Sequence, residues 1–301
     1  LLVFLLTNFI GDPVDMLVPE NATLEQIESA RARLGLDKPL PVQYGIFIRD
    51  VLHGNFGKSY TYGKPAMDLI FERMPATLEL VAVAACLVLC IAIPLGVYAG
   101  AYPKRASSKL IMSGSILGIS LPSFWVGMMM IYIFAVVLRL LPASGRGNTV
   151  MVGNVALSIF APGGIRYVIL PAITLALTNV ATMLRLTRSG ILENMRQDYI
   201  KFARAKGVPA KSILFGHALK NALIPVVTIF GMDLGNMIAF TTITETIFAW
   251  PGMGKLLIDA INKSDRPIIV AYLMAAACMF VVLNFIVDIL YTLIDPRIEL
   301  R

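Results

Sequence analysis

The sequence predicts an all-α integral membrane protein with six transmembrane helices, the first of them truncated in this chain. Of the 301 residues, 57% are hydrophobic and only 15% are charged, whereas a soluble domain has about 25% charged residues. Uncharged apolar runs long enough to cross a bilayer recur along the chain. Basic residues gather beside some of these runs, so we assign the net charge of +7 to orientation in a membrane and not to nucleic-acid binding.

The N-terminal quarter of the chain is predicted to contain little membrane-embedded structure. Residues 1–10 are apolar but shorter than the roughly 20 residues that a spanning helix needs. No small-residue cleavage site follows them, so we interpret them as the end of a first transmembrane helix and not as a signal sequence. Residues 11–77 are polar and predict an extracytoplasmic loop or small subdomain. Within it, Thr23 and Gln26 have the spacing of a capping box, and Gly35 is expected to end the helix that they start.

Residues 78–301 predict a core of five transmembrane helices. The first two uncharged runs are residues 80–101 and 110–138. Pro122 interrupts the second run, either as a packing kink or as a bend that lines a pathway. The remaining spans are predicted at residues 167–184, 221–247 and 268–287, with the last prolonged to residue 294.

The distribution of cations predicts the orientation of these spans. Lys104, Arg105 and Lys109 crowd a very short loop, which we place in the cytoplasm. Residues 139–166 form a longer loop rich in Gly and Pro with only three cations, which we place outside. The alternation that follows puts both termini in the cytoplasm of a multi-pass protein.

A basic, amphipathic stretch at residues 189–222 lies between two of the predicted spans. Its segment Ala203-Arg204-Ala205-Lys206-Gly207 predicts a helix that ends at the glycine, and Pro209 discourages its continuation. A second short helix is expected at about residues 211–222. Its apolar residues are predicted to form a face that docks into a groove on another protein; they are Ile213, Leu214, Leu219 and Leu223.

This helix–glycine–helix element resembles the coupling loop of permease subunits of ABC importers, which carries a Glu-Ala-Ala motif, a glycine and a later Leu-Pro. Gly207 matches the glycine and Ala203 the second alanine, and Ile224-Pro225 matches the closing pair at a later position than usual. Lys201 and Phe202 depart from the motif, since they stand where a glutamate and the first alanine are expected. By this resemblance, coupling to an ATPase is assigned to Ala203, Arg204, Lys206, Gly207, His217 and Pro225.

Further motifs resemble the dipeptide and oligopeptide branch of that family, also called the peptide/nickel branch, and extend the resemblance over essentially the whole chain. Phe248-Ala-Trp-Pro-Gly-Met-Gly254, after Glu245, is the most specific of them. The others lie in the predicted external loop and at the C-terminus; they are residues 33–39, Pro41-Val-Gln-Tyr44, Gly54-Asn-Phe-Gly57 and Asp295-Pro-Arg297.

The resemblance implies a subunit that moves di- or oligopeptides across a bacterial inner membrane by alternating access. It implies four kinds of partner: a homologous second permease, two ATPase subunits, an extracytoplasmic substrate-binding protein and membrane lipid. Within the same class, the substrate could instead be a nickel chelate, glutathione or an oligosaccharide. An ATP-independent channel or secondary transporter is the alternative from another class, and it predicts inverted repeats and charged relays within the membrane.

One carboxylate, Asp233, lies at mid-span depth. Such groups are costly in a membrane and usually face a cavity or a partner. Asp233 therefore either lines the translocation path, where it would contact a peptide's amino group or water, or forms hydrogen bonds to backbone or Asn236 inside a packed bundle. Gly231 and Gly235 favour close packing. The candidate pathway residues are Asp233, Asn236 and Pro122.

The sequence predicts no chemistry of its own for this chain, and neither a metal nor a cofactor. Gly57-Lys58-Ser59 has the form of a P-loop end, but Leu52 occupies the place of its first glycine. This chain is therefore not expected to bind ATP, and the resemblance implies that ATP and Mg²⁺ bind the partner ATPases. Cys86 and Cys90 are four residues apart without further ligands nearby, and we interpret them as small buried thiols and not as metal ligands.

Overall fold

The computed structural model describes residues 23–294, together with Phe4, Leu5, Val14 and Val18. Helices predominate, with one short β-hairpin. The α-helices are α1 (Leu24–Leu34), α2 (Leu40–Leu52), α3 (Ala66–Ala101), α4 (Ala106–Ser120), α5 (Ser123–Met130), α6 (Ile165–Asn194), α7 (Asp198–Ala205), α8 (Ala210–Ser212), α9 (Leu219–Ile247), α10 (Met253–Asn262) and α11 (Arg266–Ile294). Two π-helical segments, Ile131–Val137 and Ile213–Ala218, follow α5 and α8, and the hairpin strands are β1 (Val150–Val152) and β2 (Val155–Leu157).

Within the described residues, four helical runs are long and apolar enough to cross a membrane, and a fifth span results if one bent pair is counted as a unit. The four are α3, α6, the run Ala210–Ile247 that joins α8 to α9, and Arg266–Val287 of α11. The bent pair is α4 with the run Ser123–Val137. The predicted first span, residues 1–10, lies outside the described residues except for Phe4 and Leu5.

Helices α3 and α6 run side by side in the same direction and are in close contact. A Cβ atom on Gly96 would come within 2.6 Å of Thr187, and one on Gly100 within 2.8 Å of Ile191. Small residues at such positions let two membrane helices approach closely. The pair therefore forms the centre of the bundle, and buried residues of both helices share one apolar cluster, including Leu80, Val88, Ala172 and Met183.

Helices α9 and α11 pack against each other in opposite directions. Gly231 faces Val287 and Gly235 faces Phe280, so closely that a Cβ on either glycine would overlap the opposing side chain. The resulting bundle has two distinct ends. We call the end where α3 and α6 finish and α9 begins the basic end, and the end that carries residues 139–164 and 248–265 the loop end.

The N-terminal boundary of α3 differs from the prediction. This helix begins at Ala66, well before residue 80, so part of the predicted loop is helical. Ala66, Leu69 and Ile70 have helical spacing and pack against buried residues of α10 and α11. Charged neighbours such as Glu72 lie on the exposed face and obscured this pattern in the sequence. Helix α2 was also not predicted.

The predicted second span is broken. The chain bends by 105° between α4 and α5. Leu121 has φ −90° and ψ 129°, and Pro122 has φ −60° and ψ 135°. A residue before proline is driven out of the α-region by the proline ring, which explains why the helix ends here and restarts at Ser123. The bend is far larger than a packing kink.

Two further expectations are corrected. The second short helix expected at residues 211–222 is not separate, because the helical run continues from Ala210 to Ile247. The loop at residues 139–166 contains a β-hairpin, in which Val150 pairs with Leu157 and Val152 with Val155. This hairpin is a small exception to the all-α class.

Candidate coupling surface and transmembrane cavity

Helix α7 ends in the turn that its glycine predicted. Gly207 has φ +78°, a left-handed conformation that glycine adopts without steric cost. The Gly207 N–H donates to the carbonyl of Arg204 at 3.0 Å, and the Val208 N–H donates to that of Ala203 at 3.1 Å. These two bonds form a Schellman motif. The prediction that the helix ends at Gly207 is confirmed.

One face of α7 is packed onto the rest of the bundle at the basic end. Ile200 and Ala203 are buried in an apolar cluster. Their partners come from three helical runs, with Val97 from α3, Ile191 from α6, and Ile213, Ala218 and Ala222 from the run that leads into α9. Because α7 shares this cluster with all three runs, we expect a displacement of α7 to disturb the packing among them.

The opposite face of α7 is exposed and combines aromatic and basic side chains. Phe202 is 62% exposed, and Phe215 of the following π-helical segment is 53% exposed. Arg204 and Lys206 are also exposed, and the Lys206 ammonium lies 4.5 Å from the centre of the Phe202 ring. We call these four residues the basic–aromatic face. Its composition suits contact with a partner that offers both acidic groups and an apolar pocket.

The prediction that the second helix presents an apolar docking face is wrong. Ile213 is buried, and Leu214, Leu219 and Leu223 are half-buried, since they pack within this chain. Of the six assigned coupling residues, Ala203 is the one that is buried. The other five are exposed, with His217 in the π-helical segment and Pro225 inside α9.

A chain of hydrogen bonds that the sequence did not suggest fixes the entry to α7. The Tyr199 hydroxyl donates to the Asn194 side-chain oxygen at 2.7 Å, and the Asn221 amide donates to the Tyr199 hydroxyl at 2.9 Å. The end of α6, the start of α7 and the start of α9 are thereby joined. The partners are 22 residues apart in one of these bonds, and nothing local in the sequence indicates such a pairing.

A cavity of about 350 Å³ lies between α6 and α9, with the start of α5 at its edge. Most of its lining side chains are polar and uncharged. The lining consists of Ser123, Thr174, Leu175, Thr178, Asn179, Thr182, Asp233, Asn236, Met237, Phe240 and Thr244. The 105° bend between α4 and α5 brings Ser123 to this cavity, whereas Pro122 lies next to the lining without belonging to it.

Asp233 is the one ionisable residue among the cavity-lining side chains. It is half-buried, with Asn236 exposed one turn further along α9. Gly231 and Gly235 contact α11, so the glycines and the carboxylate occupy different faces of the same helix. The structure therefore contains the feature expected for each interpretation of Asp233. Helix α9 packs closely on one face and borders a polar cavity on another.

The loop end is held by a largely buried ion pair that the sequence did not predict. The Arg146 Nε donates to Glu79 at 2.9 Å, and the two side chains are 10% and 2% exposed. Glu79 also accepts hydrogen bonds from the backbone N–H groups of Ser158 and Ile159, while Arg146 donates to the carbonyl of Ala156. This pair anchors the hairpin loop to α3. Arg146, one of the three cations of the loop predicted to lie outside, is thus largely shielded from solvent.

A second buried carboxylate, Glu245, organises the segment Phe248-Ala-Trp-Pro-Gly-Met-Gly254. It accepts hydrogen bonds from the Thr77 hydroxyl at 2.6 Å and from the Lys255 N–H at 2.9 Å. Because Lys255 lies in the first turn of α10, the carboxylate acts as an N-terminal cap for that helix. Gly252 precedes α10 and has no side chain because Glu245 fills the space that its Cβ would need.

Two more contacts complete the loop end. The fully buried Trp250 donates from its indole N–H to the carbonyl of Ala76 at 2.9 Å. Asp265 is buried and accepts from the Ser59 hydroxyl at 2.6 Å and from the Thr61 N–H at 3.0 Å. Ser59, which belongs to the P-loop-like tripeptide, therefore stabilises the fold through Asp265.

The cysteines differ from the expectation of buried thiols. Cys86 and Cys90 are exposed on the surface of α3, with their sulfur atoms 3.9 Å apart, and Cys278 is exposed on α11. Within the part of the chain that the structure describes, three or more His, Cys, Asp or Glu residues nowhere gather in a group that could hold a metal ion.

Comparison with known proteins agrees with this architecture. The family of binding-protein-dependent transport system inner membrane components matches residues 92–300, and the N-terminal family of such membrane components matches residues 1–81. The fold is similar to an inward-facing methionine ABC transporter, with a TM-score of 0.61, 15% identity, and coverage of 76% of this chain and 97% of the other. The chain belongs to the family of inner-membrane permease components of binding-protein-dependent transport systems.

Full-length relatives are found in several bacteria. The probable D,D-dipeptide transport system permease protein of Escherichia coli is 37% identical over 99% of this chain and 92% of its own length. The di/tripeptide transport system permease protein of Pseudomonas aeruginosa is 39% identical over 99% and 93%. The oligopeptide transport system permease protein of Bacillus subtilis is 39% identical over 96% and 90%.

Proposed function

We propose that this chain is one of two permease subunits that form the pore of an ATP-driven importer of di- and oligopeptides. This proposal depends mainly on the arrangement of α7. One face of this helix is packed against α3, α6 and the run into α9, and its other side exposes the basic–aromatic face. A short helix held in this way suits docking onto a separate protein.

The proposed mechanism follows from which helices α7 contacts. It packs against Ile191 of α6 and against Ile213 and Ala218 of the run that continues into α9. The same two runs line the cavity that contains Asp233. A partner that displaces α7 would therefore move the cavity walls, which is the coupling that alternating access requires. This chain would form part of the pore and would transmit movements of the ATPases to it. ATP and Mg²⁺ would bind the partner ATPases.

The proposal includes an orientation and an assembly. The basic end, with its exposed Lys201, Arg204, Lys206 and Lys211, would face the cytoplasm, as the positive-inside tendency predicts. Both termini would then be cytoplasmic. A homologous second permease would complete the pore, two ATPase subunits would bind the coupling helices, and a substrate-binding protein would deliver cargo at the loop end.

Co-purification from the native membrane tests the assembly. We expect this chain, extracted in mild detergent and identified with its companions by mass spectrometry, to bring a second multi-span permease and P-loop ATPases. A stable single chain or homo-oligomer without ATPase subunits would contradict the proposal. It would favour an ATP-independent channel or secondary transporter.

Peptides are proposed as cargo because the relatives named above transport them. Uptake of labelled di- and tripeptides by cells with and without this chain tests the assignment, and we expect uptake to depend on the chain. If uptake of a nickel chelate, glutathione or an oligosaccharide depends on the chain and uptake of peptides does not, the peptide assignment is wrong. The proposal that the chain belongs to an importer would still stand.

A further inference from the structure

The transmembrane cavity has an electrostatic character that bears on what part of a substrate it can bind. Its polar lining groups are hydroxyls and amides, and Asp233 supplies the one formal charge among the lining residues. Hydroxyl and amide oxygens can also accept hydrogen bonds from a cationic donor, although more weakly than a carboxylate does, and none of the described lining residues is cationic. The cavity therefore favours a positively charged group.

The position of Asp233 supports a binding role over a purely structural one. The glycines on either side of it along α9 contact α11, while Asp233 lines the same cavity as Thr178, Asn179 and Thr182 of α6. None of the described residues that line the cavity is cationic, and a carboxylate at membrane depth without a cationic partner is costly to retain. A substrate with an ammonium group would offset that cost while it occupies the cavity.

We propose that Asp233, with Asn236 and the facing Thr178 and Asn179, binds the protonated amino terminus of a peptide on its way through the pore. This inference rests on the proposed function and specifies its substrate chemistry. A peptide's amino terminus offers three N–H donors and one positive charge, which match one carboxylate oxygen pair and the neighbouring amide and hydroxyl oxygens.

The charge preference of the cavity can be measured without any transport. Cys86, Cys90 and Cys278 are first changed to Ser, because all three are exposed, and Asn236→Cys then places one thiol in the cavity of the purified transporter in nanodiscs. We expect a trimethylammonium methanethiosulfonate to react roughly tenfold faster than the sulfonate analogue, after correction for free-thiol reactivity, because a carboxylate lies within a few ångströms.

Asp233→Asn should bring that ratio close to one. Glu72→Gln, which removes a carboxylate from the exposed surface at the loop end, should leave the ratio unchanged. A cation-to-anion reaction ratio at or below one in the Asn236→Cys protein that retains Asp233 would overturn the proposal even if Asp233→Asn did not fold. An unchanged ratio in a folded Asp233→Asn variant would also overturn it.

A second assay addresses the ligand. The complete transporter in proteoliposomes is given trialanine or N-acetyltrialanine, each with its binding protein saturated. Asp233→Asn should slow trialanine uptake about tenfold, as expected for loss of one charged contact, and change uptake of the acetylated peptide less than about twofold.

The outcomes separate the two proposals. Equal slowing of both peptides, or of neither, would overturn the assignment to the amino terminus. If the wild-type transporter takes up neither peptide, the proposed peptide transport fails, while the thiol ratio still decides whether the cavity prefers cations.

Discussion

The two ends of the bundle are built from different interactions. At the loop end, three carboxylates (Glu79, Glu245 and Asp265) are buried and tie segments far apart in sequence. At the basic end, apolar contacts around Ile191, Ile200 and Ile213 and the exposed hydrogen bonds of Tyr199 hold the structure together, and most cations are exposed. The ion pair there, Lys201 with Asp198, is fully solvated.

The two ends therefore differ in how far their polar and aromatic side chains already have partners within this chain. Most buried polar groups at the loop end form hydrogen bonds within this chain and so hold distant segments in one geometry. Aromatic and basic side chains at the basic end, such as Phe202, Phe215 and Arg204, are instead largely exposed and so remain available to a partner. We therefore expect substitutions at the loop end to affect stability and substitutions at the basic end to affect docking.

The largest expected effect on stability comes from Glu79→Gln. Arg146 would remain buried without its counter-charge, which costs about 3 kcal/mol or more of unfolding free energy. Thermal unfolding of the purified chain measures the loss. Glu72→Gln, on the exposed face of the same helix, is the matched control and should change the unfolding free energy by less than about 0.5 kcal/mol. Equal effects of the two changes would show that the buried ion pair does not hold the loop end.

The next largest effect is expected from Thr77→Val. Thr77 donates to Glu245 and accepts from the Met253 N–H, so a valine of similar shape removes two buried hydrogen bonds and costs about 2 kcal/mol. Thr77→Ser retains the hydroxyl and should lose less. If both variants unfold at the same temperature, the methyl contacts of Thr77 and not its hydrogen bonds determine its contribution.

Gly207→Val should cost less, since a Cβ at this position meets nothing within 4 Å. The penalty comes from the left-handed backbone alone and is about 1–2 kcal/mol. We expect the chain to insert normally and uptake to fall, because the turn that positions α7 is distorted. Gly207→Asn tolerates the same backbone conformation and serves as the control. Wild-type uptake in the valine variant would contradict the account.

The smallest effect on stability is expected from Arg204→Glu combined with Lys206→Glu, because both side chains are exposed. Unfolding should shift by less than about 0.5 kcal/mol. Co-purification of ATPase subunits should weaken about tenfold, since two charges of the docking surface are reversed. Lys58→Glu, exposed near the loop end, should leave co-purification intact. If the double variant co-purifies with as much ATPase as the unchanged chain does, the basic–aromatic face is not part of the coupling contact.

The sequence predicted the features that depend on neighbouring residues. Thr23 and Gln26 form both hydrogen bonds of a capping box, and Gly35 ends the same helix with φ +68°. Gly207 ends α7 in the same left-handed conformation. These structures are determined within a few residues by backbone sterics and capping, so a local pattern is sufficient to identify them.

The features that the sequence did not predict depend on distant partners. Glu79 and Arg146 are 67 residues apart, and neither residue type nor spacing indicates that they pair. Pro122 marked a break in the second span, but a local pattern does not give the angle of 105° between the two halves. The sequence also could not show which apolar side chains of the coupling region stay exposed, because Ile213 is buried by helices α3, α6 and α7.

Site-directed photocrosslinking in the native membrane tests the central claim most directly. A photoreactive residue is placed at Phe202 of the basic end or at Phe160 of the loop end, two phenylalanines of similar exposure at 62% and 66%. The account predicts that position 202 crosslinks to a P-loop ATPase and that position 160 does not. An ATPase crosslink from position 160, or none from position 202, would contradict the assignment of the basic end as the coupling surface.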